Sequence, residues 1–404
     1  MFRISQYARE VLSPTPITPA RQPAGPVVIW NLVRRCNLNC KHCYSISADT
    51  DFAGELNTAE VFSVMSDLRA FHVPVLILSG GEPLLRPDIF QVSAKAKEMG
   101  FYIGLSTNGT LINEDNIDAI RSADYNYVGI SLDGIGATHD AFRRHEGAYE
   151  ASLKGLRLCR EAGIKVGLRF TMTLDNAHEL PKLLALVEAE GVDKFYLSHL
   201  NYAGRGNRNR ADDAQHATTR KAMDLLFETA IDHAQRGLET EFVSGNNDAD
   251  GVYLLHWLTN RYPEQTDLHA HMQAKLAQWG GNSSGVNVAN IDNLGNVHPD
   301  TMWWHYNLGN VRQRPFSEIW PDTSDPIMAG LKQVPRQIKG RCGACQHFDI
   351  CGGNTRVRAL QLTGDPWAED PACYLSDAEI GITEGGERLA VTPYSREQAH
   401  ALGL

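Results

Sequence analysis

Between residues 25 and 200 the chain alternates short β-rich runs with amphipathic helical stretches, and this alternation narrows the possible folds more than any other feature. The runs VVIWNLV (27–33), VLILS (75–79), YIGLST (102–107), YVGISL (127–132), VGLRFTMT (166–173) and FYLSHL (195–200) are apolar nearly throughout. Parallel strands covered by helices read this way. Helical signals separate them. Asn57 and Glu60 make a capping-box start for a helix whose apolar face carries Val61, Phe62, Met65, Leu68 and Phe71. A second helix spans Ala148 to Ala162 and stops at Gly163, and a third, bearing Leu180, Leu183, Leu184 and Val187, stops at Gly191. Six successive βα units predict a parallel, right-handed α/β sheet, fewer than the eight of a closed barrel. The expected architecture is therefore a partial (βα)6 TIM-like barrel followed by a smaller C-terminal domain.

The pattern breaks after Leu200. Residues 201–215 are polar, with Arg205, Arg208 and Arg210 clustered, and read as a solvated loop. A helix is expected over 217–236, a loop over 244–251, and a hairpin with a glycine-containing turn over 286–299. These signals divide the chain into an N-terminal extension (1–24), a barrel (25–240) and a C-terminal domain (241–404). A chain of 404 residues, 43% of them apolar, has enough core-forming material for that plan. A net charge of −10 argues against a general nucleic-acid binder, which needs a basic surface. The N-terminus lacks a signal-peptide core and no apolar run is long enough for a membrane span, so a cytoplasmic protein is expected.

Seven of the eight cysteines fall into two groups, which reads as metal ligation rather than disulfide bonding. Cys36, Cys40 and Cys43 form CX3CX2C directly after the first strand. Three thiolates can hold three irons of a [4Fe–4S] cube and leave the fourth iron open to a small molecule. The alternative is a zinc knuckle, with His42 inside the motif as a possible fourth ligand. Cys342, Cys345, Cys351 and Cys373 form CX2CX5CX21C, enough to saturate a cube, with zinc again the alternative. Cys159 stands alone on an apolar helix face and reads as a small buried hydrophobe.

In α/β barrels reactive groups collect at the carboxyl ends of strands. There the chain places Gly80-Gly81-Glu82-Pro83 after the second strand, Ser106-Thr107-Asn108-Gly109 after the third and Ser131-Leu132-Asp133-Gly134 after the fourth. The serines, Thr107, Asn108 and Asp133 could equally be helix caps. Arg143 and Arg169 are rival partners for a carboxylate, with salt bridges as the alternative for both.

CX3CX2C, with GGEP one βα unit further on, resembles the radical S-adenosylmethionine (SAM) superfamily. The resemblance implies an open (βα)6 barrel and a radical SAM enzyme. SAM would chelate the open iron and be cleaved by one electron to a 5′-deoxyadenosyl radical. It also implies that Gly80, Gly81 and Glu82 hold the SAM amino group and that Ser131 serves its ribose and carboxylate, with Asn108 and Arg143 as further candidates there and Arg169 competing with Arg143.

The second cysteine group resembles the SPASM extension of that superfamily, in which two auxiliary clusters are common. This chain departs from the two-cluster pattern. Thr355 and Asp300 stand where cysteines would be expected, and no cysteine occurs between Cys159 and Cys342. Two [4Fe–4S] clusters in total are therefore expected, one at each end of the protein. Trp303, Trp304, His305 and Tyr306, just past Asp300, offer rings on which a planar substrate could stack, or core packing.

Only 35 residues precede Cys36, too few for the leader-binding module common in peptide-modifying SPASM enzymes. The stretches GPVVIWNLVRRCNLNCKHCYSISAD, VLILSGGEPLLRPDIF, STNGTLI and YVGISLDGIGATHDAFR are similar to the tetrapyrrole-modifying group of alternative haem and haem d1 biosynthesis, its haem d1 branch above all. That likeness implies a didecarboxysirohaem substrate whose propionate side chains are modified or removed. It also implies a flavodoxin- or ferredoxin-type electron donor, and leaves His199, His298 and His305 as undivided candidates for an axial ligand to substrate iron. The rival readings are a SPASM peptide or protein maturase, a haem synthase-like propionate decarboxylase, and a non-catalytic iron–sulfur carrier or zinc scaffold.

Overall fold

A computed structural model of the protein describes residues 1–18 and 25–382. The ends of the expected extension and C-terminal domain, residues 19–24 and 383–404, lie outside the described residues. Ten strands form one sheet: β1 (Val27–Asn31), β2 (Val75–Ser79), β3 (Tyr102–Thr107), β4 (Tyr127–Ser131), β5 (Val166–Met172), β6 (Lys194–His199), β7 (Glu241–Gly245), β8 (Val288–Ile291), β9 (Asn296–His298) and β10 (Gly309–Asn310). Their spatial order is β10-β9-β8-β1-β2-β3-β4-β5-β6-β7. The six expected strands are parallel and sequential, within two residues of their expected ends.

Local chemistry explains the elements. Asn57 Oδ1 accepts from Glu60 N and the Glu60 carboxylate accepts from Asn57 N, closing the capping box of the helix Thr58–Ala70. Val28, Trp30, Leu76, Leu78, Ile103, Leu105, Val128 and Ile130 are wholly buried in the core shared with the helices. Cys159, on the helix Ala148–Glu161, is wholly buried with Leu156 beside it.

The sheet continues beyond the six strands. β7 extends it in parallel from β6, and β8 joins the far side in parallel with β1. The hairpin expected over 286–299 is present as β8 and β9, turned at Gly295. Ser244 and Gly245, expected in a loop, end β7, and the helix Ala249–Arg261 starts four residues later. Polar residues misled here because Ser244 and Asp250 bond to each other in the interior at 2.5 Å. The N-terminal segment is built in as well: Phe2 pairs with Ser244 through both backbone bonds, at 2.8 and 2.9 Å, and covers the β7 edge. Among the described residues no helix is long and apolar enough to cross a membrane.

Candidate functional site

The loop after β1 carries Cys36, Cys40 and Cys43, which pack with Leu38 and Ala148 as a small cluster separate from the main core. Each sulfur faces a donor. Leu38 N lies 3.5 Å from Cys36 Sγ, Arg143 3.4 Å from Cys40 Sγ, and Ser45 Oγ 3.3 Å from Cys43 Sγ. Burial, with the Glu82 charge adding to it, pushes the Cys36 thiol up to about 12. Burial also raises Cys40, against the pull of Arg143. At Cys43 burial is outweighed by the Arg205 charge and by hydrogen bonds from Ser45 and Ser47, and the thiol is lowered.

All eight cysteines are free thiols. Among the described residues no group of three or more His, Cys, Asp and Glu side chains converges on a single ion. A cube makes no such demand, because each thiolate binds its own iron. Three soft donors with N–H and O–H groups aimed at their sulfurs fit an iron–sulfur cluster. His42, the knuckle's possible fourth ligand, instead packs on the Phe142 ring at 4.8 Å in a crevice shared with Lys41, Thr173 and Leu200.

Gly80 and Gly81 sit against this loop. A Cβ on Gly81 would lie 2.3 Å from Arg35 O, and one on Gly80 2.5 Å from Val33 O. The glycine pair lets two backbones touch. Gly81 N donates to Val33 O at 2.6 Å and Glu82 N to Arg35 O at 2.8 Å. The Glu82 carboxylate is wholly buried and accepts from Thr107 Oγ1 (2.7 Å), Asn108 N (2.8 Å) and Leu84 N (3.1 Å). Burial outweighs these bonds and raises it to about 6. Glu82 thus ties the β2 tip to the β3 tip. Asn108 in turn donates to Asn37 at 2.9 Å and reaches to 3.9 Å from Cys36 Sγ.

The two rival arginines differ in their surroundings. Arg143 is buried and ion-paired with Asp133, itself 0% exposed, as well as bonded to Cys40. Asp133 also accepts from Thr171 N at 2.7 Å, while its own N–H donates to Nδ1 of the buried His139 at 2.9 Å. Arg169 lies opposite Ser131 in the β4–β5 register, bonds to Ser106 Oγ and lies over the Tyr196 ring at 5.4 Å. Among the described residues it makes no ion pair with a carboxylate.

Sequence reasoning missed Arg205. Expected in a solvated loop, it lies at the helix Gly204–Arg208 and donates to Cys40 O at 2.7 Å and Ser47 O at 2.9 Å. Asn209 donates to Lys41 O at 2.7 Å. Gly204, at φ +55°, packs where a Cβ would lie 2.3 Å from Tyr44 O. The signal was there in the mixture of glycines with arginines, which a merely solvated loop does not need.

The second cysteine group is also drawn together by the backbone: Cys373 N donates to Asp370 O and Cys351 N to His347 O, both at 3.2 Å. Asp370 N lies 3.4 Å from Cys342 Sγ and His347 N 3.4 Å from Cys345 Sγ. The positions lacking cysteines are occupied by satisfied polar groups. Thr355 bonds to Asp370 (2.9 Å) and to Asn246 O (3.2 Å), and Asp300 accepts from Ser284 Oγ and from Met302 N (2.7 Å).

The aromatic run divides. Trp303 is core and Tyr306 is tied to Asp325 at 2.7 Å. Trp304 meets Tyr44, next to Cys43, edge-on at 6.0 Å and donates to Asn290 at 2.9 Å. His199 is fixed by Asp250 (2.9 Å), and His298 by Tyr306 O (2.7 Å). His305 is exposed and stacks on Trp303 at 5.7 Å.

Comparison with known proteins follows the same lines. The Radical SAM superfamily profile matches residues 30–187. The "Pre-heme d1 synthase" of Dinoroseobacter shibae is 56% identical over 395 residues, 98% of this chain and 97% of that protein. The "Fe-coproporphyrin III synthase" of Methanosarcina barkeri is 44% identical over 362 residues, 89% of this chain and 90% of its own length. Among solved structures, Streptococcus suis SuiB bound to precursor peptide SuiA superposes with a TM-score of 0.68 at 15% identity, over 87% of this chain and 76% of that one.

Proposed function

The chain belongs to the radical SAM superfamily, and from that premise we propose that it acts in haem d1 biosynthesis, modifying or removing propionate side chains of didecarboxysirohaem. The observation that carries the substrate is 56% identity over 98% of this chain and 97% of a pre-haem d1 synthase. Trp304 supports it, since its ring meets Tyr44 beside Cys43 and is one on which a flat substrate could stack.

Cys36, Cys40 and Cys43 would hold the SAM-binding [4Fe–4S] cluster, which supplies the electron that cleaves SAM. The chain's own residues then bind and orient SAM. The Gly80–Gly81 backbone serves its ammonium, while Glu82 holds that segment in place from behind. Asn108 and Ser131 face its ribose and carboxylate. Arg143 is committed to Asp133 and Cys40, so the carboxylate falls to Arg169. We further assign a second [4Fe–4S] cluster to Cys342, Cys345, Cys351 and Cys373, as acceptor for the electron that side-chain oxidation releases. A flavodoxin- or ferredoxin-type donor and a cytoplasmic setting complete the reading.

Iron and sulfide analysis tests the cluster assignment: about eight irons per chain are expected. Replacing Cys36, Cys40 and Cys43 together by Ala should leave one cluster and abolish SAM cleavage. Surviving cleavage would refute the mechanism. Anaerobic titration with didecarboxysirohaem should change its absorbance, and an unchanged spectrum at excess protein would refute the substrate.

A further inference from the structure

Four arginines around the second cysteine group meet their charge in different ways, and Arg336 donates to Gly352 O and Asn282 Oδ1 with the Asp248 and Asp300 carboxylates within its field. Arg341 pairs with Asp377 at 2.8 Å, and Arg358 with Asp370 at 2.9 Å, both partners of the latter being 0% exposed. Arg356, at the start of the helix Arg356–Thr363, is equally buried, at 0% exposure. Every hydrogen bond it makes goes to a carbonyl: Asn354 O at 3.4 Å, Pro366 O at 3.2 Å, and Ala368 O and Gly353 O more closely. Among the described residues it has no carboxylate partner. Asp365, on which its charge also acts, is paired with Lys339 at 2.6 Å.

A buried guanidinium without a counter-charge is expensive, because carbonyl dipoles replace only part of its hydration. Its guanidinium is held between Gly353 O, two residues after Cys351, and Ala368 O, two residues before Asp370, whose N–H lies 3.4 Å from Cys342 Sγ. A cube held by four thiolates carries net negative charge and would supply what Arg356 lacks.

We infer that Arg356 is the counter-charge to the cluster on Cys342, Cys345, Cys351 and Cys373, and that it sets that cluster's reduction potential. A nearby cation favours the reduced, more negative cube, so it makes the cluster a better electron acceptor. This inference rests on the second cluster assigned above. It adds the residue that adapts the cluster to taking up one electron.

The test uses the full chain with Cys36, Cys40 and Cys43 changed to Ala, so that any iron–sulfur signal comes from the second site. After anaerobic reconstitution, its midpoint potential is read by electron paramagnetic resonance during a redox titration. Arg356→Gln should shift the midpoint to lower potential, and Arg356→Lys should restore most of the shift. A Gln variant that loads the cluster with an unchanged midpoint overturns the inference. If the Gln variant fails to load while Lys loads, the counter-charge role stands. If neither loads, Arg356 serves packing alone and the inference falls. A parent protein that binds no iron refutes the two-cluster reading itself, before any Arg356 variant is made.

Discussion

Arg143 and Arg169 look alike in the sequence and are separated only by their partners. Removing Arg143 leaves Asp133 as an unpaired buried charge, a loss of about 3–5 kcal/mol. Arg143→Met should therefore lower the melting temperature markedly. Arg169→Ala should keep the melting temperature and weaken SAM binding at least about tenfold, the equivalent of about 1.4 kcal/mol. Calorimetric unfolding and SAM titration, run on both variants, separate the roles. SAM affinity unchanged in Arg169→Ala would return the carboxylate to Arg143. His139 adds a pH dependence. Burial and the nearby Arg143 charge lower it to about 3, and its Nδ1 must stay unprotonated to accept from Asp133. As pH falls from the ordinary value of 6.5 towards 3, the unfolded chain takes up a proton that the folded chain refuses. Stability is thus present above pH 6.5 and lost below it, by up to about 1.4 kcal/mol per unit. Denaturant titrations across that range should show His139→Gln with a shallower decline than the parent.

At the scale of elements, the site depends on close backbone contacts onto the cysteine loop. Gly81→Ala drives a methyl into Arg35 O and Gly204→Ala into Tyr44 O, each at 2.3 Å. Each change should cost about 1–3 kcal/mol and reduce iron incorporation at Cys36, Cys40 and Cys43, as read by iron content. The six strands were legible because apolar runs and caps are local signals. The cysteine groups were legible because their spacing is local too. β7 was not, because its closing residues Ser244 and Gly245 are polar or small and are satisfied by Asp250 and the N-terminal segment. Arg205 was misread for a related reason: its carbonyl partners lie more than 150 residues away in the chain.

For the whole molecule, the C-terminal region is joined to the sheet by buried polar contacts rather than by an apolar seam alone. Arg358 donates to Leu200 O at 3.3 Å and to Asn246 O, and its pair with Asp370 is wholly buried. Arg358→Met should cost about 3–5 kcal/mol by stranding Asp370. Proteolysis should then cut first between the barrel and the second cysteine group, whereas uniform digestion would show that the contact is not a joint. Thr355 joins the same contact, its N–H donating to Asp370 at 2.9 Å and its hydroxyl to Asn246 O at 3.2 Å. In the proposed function a radical made at the Cys36, Cys40 and Cys43 loop acts on a tetrapyrrole propionate. The most direct measurement is an anaerobic incubation of the reconstituted protein with SAM, reductant and didecarboxysirohaem, following 5′-deoxyadenosine and tetrapyrrole mass together. We expect 5′-deoxyadenosine to accumulate only alongside a tetrapyrrole changed at its propionate side chains. Turnover of SAM with the tetrapyrrole mass unchanged would contradict the claim.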